Sequence, residues 1–119
     1  MFVSFCVLIV INGSNFFDGL NTLNIGYYLL VTLVLYYLKA NNLVSLNEIF
    51  INYILIVLII TYFLNLINKI YLGDSGSYLL GFVFSIFLIN TFLENFNISP
   101  FFIIVLLWYP SFETLFSII

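Results

Sequence analysis

Two short polar segments interrupt a chain that is otherwise almost entirely apolar. Residues 12–21 read NGSNFFDGLN, and residues 68–77 read NKIYLGDSGS. The carboxylates of Asp18 and Asp74 are costly near a bilayer, because an acidic side chain at the centre of a membrane helix costs roughly 2.5–3.5 kcal/mol. Carboxylates placed beside glycines and amides between apolar stretches therefore predict a working site at a membrane surface.

The second segment contains residue types that suit an anion site. Gly73 and Gly76 permit tight turns and close approach of the backbone. Either Ser75 or Ser77 is predicted to be the N-cap of a helix that begins near Tyr78. The free N–H groups at such a helix N-terminus favour phosphate binding.

A carboxylate beside that anion site indicates a cation. Asp74 would repel a phosphate unless a metal ion joined the two, and Mg²⁺ does this through one or two carboxylates together with phosphate oxygens. Lys69, five residues earlier, would add a positive charge. An ordinary Gly/Ser/Asp turn with a solvated lysine would explain the same residues.

Polar residues recur every third position in the first segment, at Asn12, Asn15, Asp18 and Asn21. On a helix or tight turn this spacing brings several of them to one side. Three amides and a carboxylate can bind the edges of a nucleotide base or sugar and help to orient a metal. The alternative is a polar loop whose side chains satisfy local turns.

Composition places the chain in a membrane. Of its 119 residues 65% are hydrophobic, 21% aromatic and only 6% charged, whereas a soluble domain carries about 25% charged residues. The net charge of −3 and the lack of a basic patch argue against a nucleic-acid partner. The chain has no histidine for acid–base chemistry, and its single cysteine, Cys6, excludes a disulfide within the chain.

The apolar segments predict an all-α, polytopic transmembrane bundle of about four spans and one partial span. Helices are expected because an open strand edge cannot be satisfied in lipid, and a span needs about 20 residues. Residues 3–11 are too short to cross. The predicted spans are residues 23–38, 49–66, 78–93 and 101–119, with Pro100 as the first residue of the last helix and Pro110 interrupting it. Residues 1–119 are expected to be a single, partial membrane domain, a fragment of a larger protein.

Counting spans predicts that the two polar loops, about residues 12–23 and 65–77, lie on the same side of the membrane. One outward span and one return span separate them, so they can face each other. The end of the chain, after Ile119, is expected to return to that side as well. Lys39 and Lys69 fall on opposite sides, so charge asymmetry gives no orientation.

Three segments resemble one enzyme family, the polyprenyl-phosphate N-acetylhexosamine-1-phosphate transferases. NGSNFFDGLN resembles the family signature N-x-x-N-x-x-D-G-[LI]-[DN], and KIYLGDSGSYLLG (69–81) is similar to the second signature, K-[IV]-F-x-G-D-x-G-S-x-x-L-G. WYPSFETLFSII (108–119) resembles the stretch that leads into the next cytoplasmic loop of the hexosamine branch. The matches occur in family order and span the whole chain. Related members include the undecaprenyl-phosphate GlcNAc-1-phosphate transferases and the phospho-MurNAc-pentapeptide transferase.

The resemblance implies a phosphotransferase of the EC 2.7.8 type. Such an enzyme transfers N-acetylhexosamine 1-phosphate from a UDP-sugar to undecaprenyl or another polyprenyl phosphate and releases UMP. This reaction initiates cell-envelope polysaccharide or peptidoglycan intermediates. It implies a bacterial cytoplasmic-membrane location with the signature loops facing the cytoplasm, and Mg²⁺, or Mn²⁺ in its place, as the cofactor that neutralises the diphosphate.

The same resemblance implies particular site residues. Asp74 would be the metal-binding and catalytic carboxylate, and Asp18 a second catalytic residue. Asn65 would contact uracil. The complete set of implied substrate-binding residues is Asn15, Asn21, Asn65, Lys69, Gly76 and Ser77.

The chain departs from the family pattern in several places. Asn21 stands where many members have a second aspartate, and Glu113 where many have aspartate after the proline. The family's upstream acidic pair and its later histidine-containing loop are missing, so this fragment alone is expected to be inactive. Two other classes stay open: a transporter or ion pathway with acidic residues beside broken helices, and a structural membrane subunit. The sequence leaves the oligomeric state and the choice of UDP-sugar open.

Overall fold

The computed structural model describes residues 1–16 and 22–118 of the chain. These residues form helices and connecting turns without any strand, which confirms the predicted all-α class. The helices are α1 (Phe2–Phe16), α2 (Leu23–Ala40), α3 (Glu48–Leu66), α4 (Gly73–Glu94), α5 (Pro100–Leu106) and α6 (Trp108–Ile118). Among them α2, α3 and α4 are long and apolar enough to cross a membrane, and the bent pair α5–α6 brings the number of spans to at most four.

Two helices extend further into the polar segments than predicted. α1 continues to Phe16, so residues 12–16 are helical. α4 begins at Gly73, five residues before the predicted start, and Leu72 occupies its N-cap position without a side-chain cap bond. Ser75 and Ser77 therefore lie inside the helix, and the predicted serine N-cap is wrong. A left-handed φ of 64° at Gly73 lets the chain turn into the helix this early.

An asparagine with a left-handed backbone follows the end of both α2 and α3. Asn42 and Asn68 adopt left-handed φ angles of 56° and 55°. After α3, the N–H of Asn68 donates to the carbonyl of Asn65 (3.0 Å) and that of Lys69 to the carbonyl of Leu64 (2.9 Å). This is the Schellman pattern, in which a residue tolerant of left-handed backbone closes the last turn. The polar turn of residues 67–72 is thus folded locally.

The connecting segments sort to two ends of the bundle. At one end the loop after α2 meets the end of α4, where Asn95 accepts from the N–H and hydroxyl of Ser45 (2.7 and 2.8 Å). The ion pair Lys39–Glu48 (3.4 Å) joins α2 to α3 at this same end. At the opposite end, Asn15 of α1 donates to the hydroxyl of Tyr78 of α4 at 3.1 Å. The described parts of the two polar segments therefore lie together.

Small residues let the helices approach closely. A Cβ atom on Gly13 would lie 1.9 Å from the carbonyl oxygen of Pro110, and one on Gly81 would lie 2.7 Å from the hydroxyl of Ser14. In lipid, helices associate through such close packing and hydrogen bonds rather than through hydrophobic exclusion. α1 accordingly packs against α4 and α6, and α2 against α3. The buried apolar core comprises Ile25, Tyr28, Val31, Leu35, Ile51, Leu58, Phe84, Phe87 and Leu88.

The last predicted span is broken. α5 ends at Leu106, α6 begins at Trp108, and their axes differ by 58°. Pro110 has no N–H to donate back to the carbonyl of Leu106, and the hydroxyl of Tyr27 donates to that carbonyl instead. The proline interruption expected from the sequence is confirmed, although the break lies three residues before the proline.

α6 runs antiparallel to α1. Gly13 adjoins Pro110, and the hydroxyl of Thr114 donates to the carbonyl of Ile9 at 3.0 Å. The later turns of α6 therefore lie beside the middle of α1 and lead away from Asn12 and Asn15. The prediction that residues 101–119 form one crossing that ends on the side of the polar segments is wrong, because the bend redirects the helix along α1.

Candidate functional site

The candidate site lies where the C-terminal turn of α1 meets the first turns of α4. The hydrogen bond from Asn15 to Tyr78 joins these two elements, and the turn of residues 67–72 leads directly into α4. Each polar segment of the sequence thus contributes to the same end of the bundle. Asp18 and Asn21 lie outside the described residues.

Asp74 stands in the first turn of α4, with its side chain exposed. Asp74 forms no ion pair with any described residue; the ion pair between described residues joins Lys39 to Glu48 at the other end of the bundle. The unpaired N–H groups and dipole of a helix N-terminus make this a favourable place for a carboxylate and for the anions that a bound cation would bring. An unengaged carboxylate here is available to a ligand.

Gly76 and Ser77 follow Asp74 closely in the first turns of α4. A Cβ atom on Gly76 would come within 2.7 Å of the side chain of Leu72. Ser77 is fully buried, and its hydroxyl donates to the carbonyl of Gly73 at 3.0 Å. In this structure both residues support the shape of the helix start, and the serine hydroxyl points into the protein.

Asn65 belongs to the last turn of α3 and is 4% exposed. Its amide donates to the carbonyl of Ile70 at 3.0 Å and so holds the turn before α4 closed. Its side-chain oxygen is buried and has no hydrogen-bond partner in the part of the chain that the structure describes. Lys69, in the same turn, is exposed and has no ion pair among the described residues.

The side chain of Asn15 also has a hydrogen-bond partner for only one of its two polar groups among the described residues. Its amide donates to Tyr78, whereas its buried side-chain oxygen has no partner within residues 1–16 and 22–118. Buried polar atoms are nearly always hydrogen-bonded, so an orphaned one calls for an explanation. The unpaired side-chain oxygens of Asn15 and Asn65 could accept hydrogen bonds from a ligand.

A second polar group adjoins the site and was not identified from the sequence. Ser14, Asn24 and Tyr28 are buried and link α1 to α2. Ser14 occupies an unspecified position of the first signature, and the other two lie beyond it. The only signal in the sequence was the presence of an amide and a phenol one turn apart in an apolar helix.

The described residues fit a metal ion that relies on its substrate for most ligands. No group of three or more His, Cys, Asp or Glu side chains exists among residues 1–16 and 22–118. Asp74 therefore could not build an all-protein cage with its described neighbours. Mg²⁺ usually binds through one or two carboxylates, waters and substrate phosphates, and an exposed Asp74 suits that mode.

An apolar cavity of about 690 Å³ lies between α1, α4, α5 and α6. It extends from the level of Val10 and Ser85 to that of Val3 and Leu93, away from the polar end. Its lining is apolar apart from a few polar atoms, including those of Ser85 and Ser111. Its size lies within the ordinary range of small-molecule sites, about 300–1,000 Å³.

Fold and site together define a helical membrane protein with a carboxylate-bearing site at one end of the bundle. A family model described as glycosyl transferase family 4 matches residues 1–92, and the chain belongs to this family of polyprenyl-phosphate sugar-phosphate transferases. The match covers both polar segments and nearly all of α1–α4. No curated protein and no solved structure matches the chain significantly.

Membership confirms the predicted family at this general level. The protein is a membrane-embedded transferase, and its family implies a sugar donor and a polyprenyl phosphate acceptor. The subfamily and the particular sugar belong to the proposal that follows.

Proposed function

We propose that the protein containing this chain transfers N-acetylhexosamine 1-phosphate from a UDP-sugar to a polyprenyl phosphate and releases UMP. The reaction would take place at the cytoplasmic face of the bacterial inner membrane. The observation that carries the proposal is the contact between Asn15 and Tyr78, because it joins the two signature segments in space. Family membership supports the general reaction.

The proposed chemistry is a phosphoryl substitution. An oxygen of the polyprenyl phosphate forms a bond to the β-phosphorus of the UDP-sugar. The bond from that phosphorus to the bridging oxygen breaks, and UMP leaves with the electron pair. The products are a lipid-linked sugar diphosphate and UMP. The task of the protein is mainly to position the two phosphates and offset their charge.

Asp74 is the residue proposed to hold Mg²⁺. When bound, this ion would offset the negative charge of the diphosphate. Lys69 supplies a further positive charge from the turn that precedes α4, where it is exposed. Asn15 and Asn65 are proposed to bind the donor through their side-chain oxygens, which have no partner among the described residues. The sequence signature adds Asp18 as a second catalytic carboxylate and Asn21 as a donor-binding amide.

Gly76 and Ser77 support the binding site by shaping the first turns of α4. Ser77 binds the carbonyl of Gly73 through its hydroxyl, and Gly76 packs on Leu72. Any contact of these two residues with substrate would therefore be made through the backbone.

The apolar cavity suits the acceptor's lipid tail. An isoprenoid chain is purely hydrocarbon, and the cavity wall offers almost no hydrogen-bonding groups to it. The cavity lies toward the opposite end of the bundle from Asp74, so a long tail would reach it while its phosphate stays at the polar end.

Replacing the metal-binding carboxylate tests the proposal. In membranes holding the full-length protein, Asp74→Asn should reduce UMP release from a UDP-N-acetylhexosamine by at least about 100-fold, because loss of one preorganised electrostatic group costs about 10²–10³ in rate. The assay contains Mg²⁺ and undecaprenyl phosphate. Glu94→Gln is the matched control, since Glu94 is an exposed acid at the other end of the same helix.

Two results would contradict the proposal. Full UMP release by Asp74→Asn would remove the metal role of this carboxylate. Uptake of the UDP-sugar by sealed vesicles without any UMP release would favour a carrier instead.

A further inference from the structure

Ser14, in the last turn of α1, is held from α2 by two side chains that lie one turn apart. The amide of Asn24 donates to the carbonyl oxygen of Ser14 at 2.9 Å. The hydroxyl of Tyr28 bonds to the hydroxyl of Ser14, which in turn donates to the carbonyl of Val10 at 2.8 Å. All three side chains are buried, with exposures of 0–1%.

The first of these bonds supplies what the helix end lacks. The last four carbonyls of a helix have no partner within the helix, and that of Ser14 is among them because α1 ends at Phe16. Asn24 therefore caps α1 from the next helix. On the other side, Gly81 of α4 lies so close that a Cβ there would meet the Ser14 hydroxyl. Ser14 is thus fixed by two neighbouring helices.

Asn24 contributes little to stability on balance. Its amide gains a hydrogen bond, but its side-chain oxygen is buried without a partner among the described residues. A buried acceptor left unpaired costs free energy comparable with that of a hydrogen bond. The effect of Asn24 is therefore to fix where the end of α1 lies.

The end of α1 is also where the candidate site begins. Asn15 follows Ser14 directly and contacts Tyr78, and the chain continues from Phe16 into the segment that contains Asp18. A displacement of about 1 Å in a reacting assembly can cost about 100-fold in rate. The position of this turn therefore matters to the reaction.

We propose that Asn24 and Tyr28 are positioning residues of the transfer reaction, which act by anchoring Ser14 and thereby fixing Asn15 and the last turn of α1. This inference rests on the proposed function. Neither residue belongs to the two signatures, and neither is placed to touch a substrate, since both are buried against α1.

The test uses Asn24→Leu and Tyr28→Phe in the full-length protein, both of which keep the approximate side-chain volume. We expect kcat to fall by about 10- to 100-fold, the KM for the UDP-sugar to change much less, and the thermal unfolding midpoint in detergent to stay near that of the wild type. Tyr36→Phe is the matched control, because Tyr36 is an exposed tyrosine at the far end of α2. It should leave kcat unchanged.

A double substitution shows whether Ser14 is the point of action. Ser14→Ala and Tyr28→Phe each remove one end of the same bond. Their combined effect on kcat should be no larger than that of Ser14→Ala alone, since residues that act through one contact are not additive. Fully additive losses would contradict the anchoring.

Hydrogen–deuterium exchange gives a readout that does not depend on activity. Asn24→Leu and Tyr28→Phe should each raise the exchange rate of the backbone amides in residues 12–16 and leave the exchange rate in the C-terminal half of α4 unchanged. Unchanged exchange in residues 12–16 would refute the anchoring of Ser14 by Asn24 and Tyr28. The positioning role would be refuted if kcat did not change, or if kcat fell only in proportion to the amount of folded protein. A wild type that releases no UMP would overturn the proposed function, and with it this role, whereas the exchange result would still decide whether the anchor exists.

Discussion

Gly13 lies at a close contact between α1 and α6. A methyl group added there would lie 1.9 Å from the carbonyl oxygen of Pro110, 2.5 Å from its carbonyl carbon and 2.9 Å from its Cα. All three atoms belong to the backbone of α6, so no side-chain rotation can relieve the clash. In Gly13→Ala, α1 and α6 must therefore separate.

The size of the effect follows from these distances. Reaching an ordinary contact of 3.4 Å requires the two backbones to move apart by about 1.5 Å. Overpacking of a close contact costs about 1–3 kcal/mol, and the separation also weakens the bond from Thr114 to the carbonyl of Ile9, a further contribution of about 1 kcal/mol. Alanine returns about 1 kcal/mol of helix propensity. Since the last two contributions nearly cancel, we expect a net loss of about 1–3 kcal/mol in the free energy of unfolding.

The free energy of unfolding can be measured by SDS titration of the full-length protein in mixed micelles, followed by circular dichroism. Gly26→Ala is the matched control. The nearest atom to a Cβ at Gly26 is in the ring of Tyr62, 3.2 Å away, and that ring can turn aside. This control should therefore be neutral or slightly stabilising, because it also gains helix propensity.

Equal stability of Gly13→Ala and the wild type would refute the reasoning. It would mean that α1 and α6 do not cross at Gly13 and Pro110 as described. A loss of similar size in Gly26→Ala would instead indicate a general intolerance of side chains in these helices.

Two further predictions concern the substrates. Lys69→Gln should raise the KM for the UDP-sugar about tenfold, because a hydrogen bond to a charged group contributes about 1.5 kcal/mol or more. The control Lys39→Gln removes a lysine that is paired with Glu48 at the other end of the bundle, and it should leave this KM unchanged. Equal effects of the two substitutions would contradict a donor-binding role of Lys69. Ser111→Phe narrows the apolar cavity, so it should raise the KM for undecaprenyl phosphate several-fold and leave the KM for the UDP-sugar unchanged. Ile60→Phe, on an exposed part of α3, is the control and should change neither KM. An unchanged KM for undecaprenyl phosphate in Ser111→Phe would contradict the cavity as the site of the lipid tail.

The membrane class, the apolar helices and the two polar segments were all accessible from the sequence. Hydropathy identifies α2, α3 and α4 because each contains a long apolar run. The ordered resemblance of the segments around Asp18, Asp74 and Pro110 indicates the family, because each signature consists of residues close together in the chain. Helix boundaries were less accessible. α4 starts at Gly73 rather than near Tyr78, since a left-handed glycine allows an earlier turn into the helix than a serine cap would.

The roles of several site residues also depended on orientation that the sequence does not encode. The resemblance implies that Ser77 binds substrate, and in the structure its hydroxyl donates to the carbonyl of Gly73. The amide of Asn65 holds the turn at Ile70. In both cases a polar side chain in or near a signature segment donates to a backbone carbonyl four or five residues away. The spacing of residues in the sequence does not reveal these bonds.

Composition and short polar segments indicate a helical membrane protein, the family that it resembles and the residues that could carry its chemistry. They do not indicate which helix faces meet, and the structure shows Ser14 against Asn24 and Tyr28, and Gly13 against Pro110. The solvent explains this difference. In water the buried face of a helix is marked by its hydrophobicity, whereas in lipid both the packed and the lipid-facing sides are apolar, so only shape and hydrogen bonding select the neighbours.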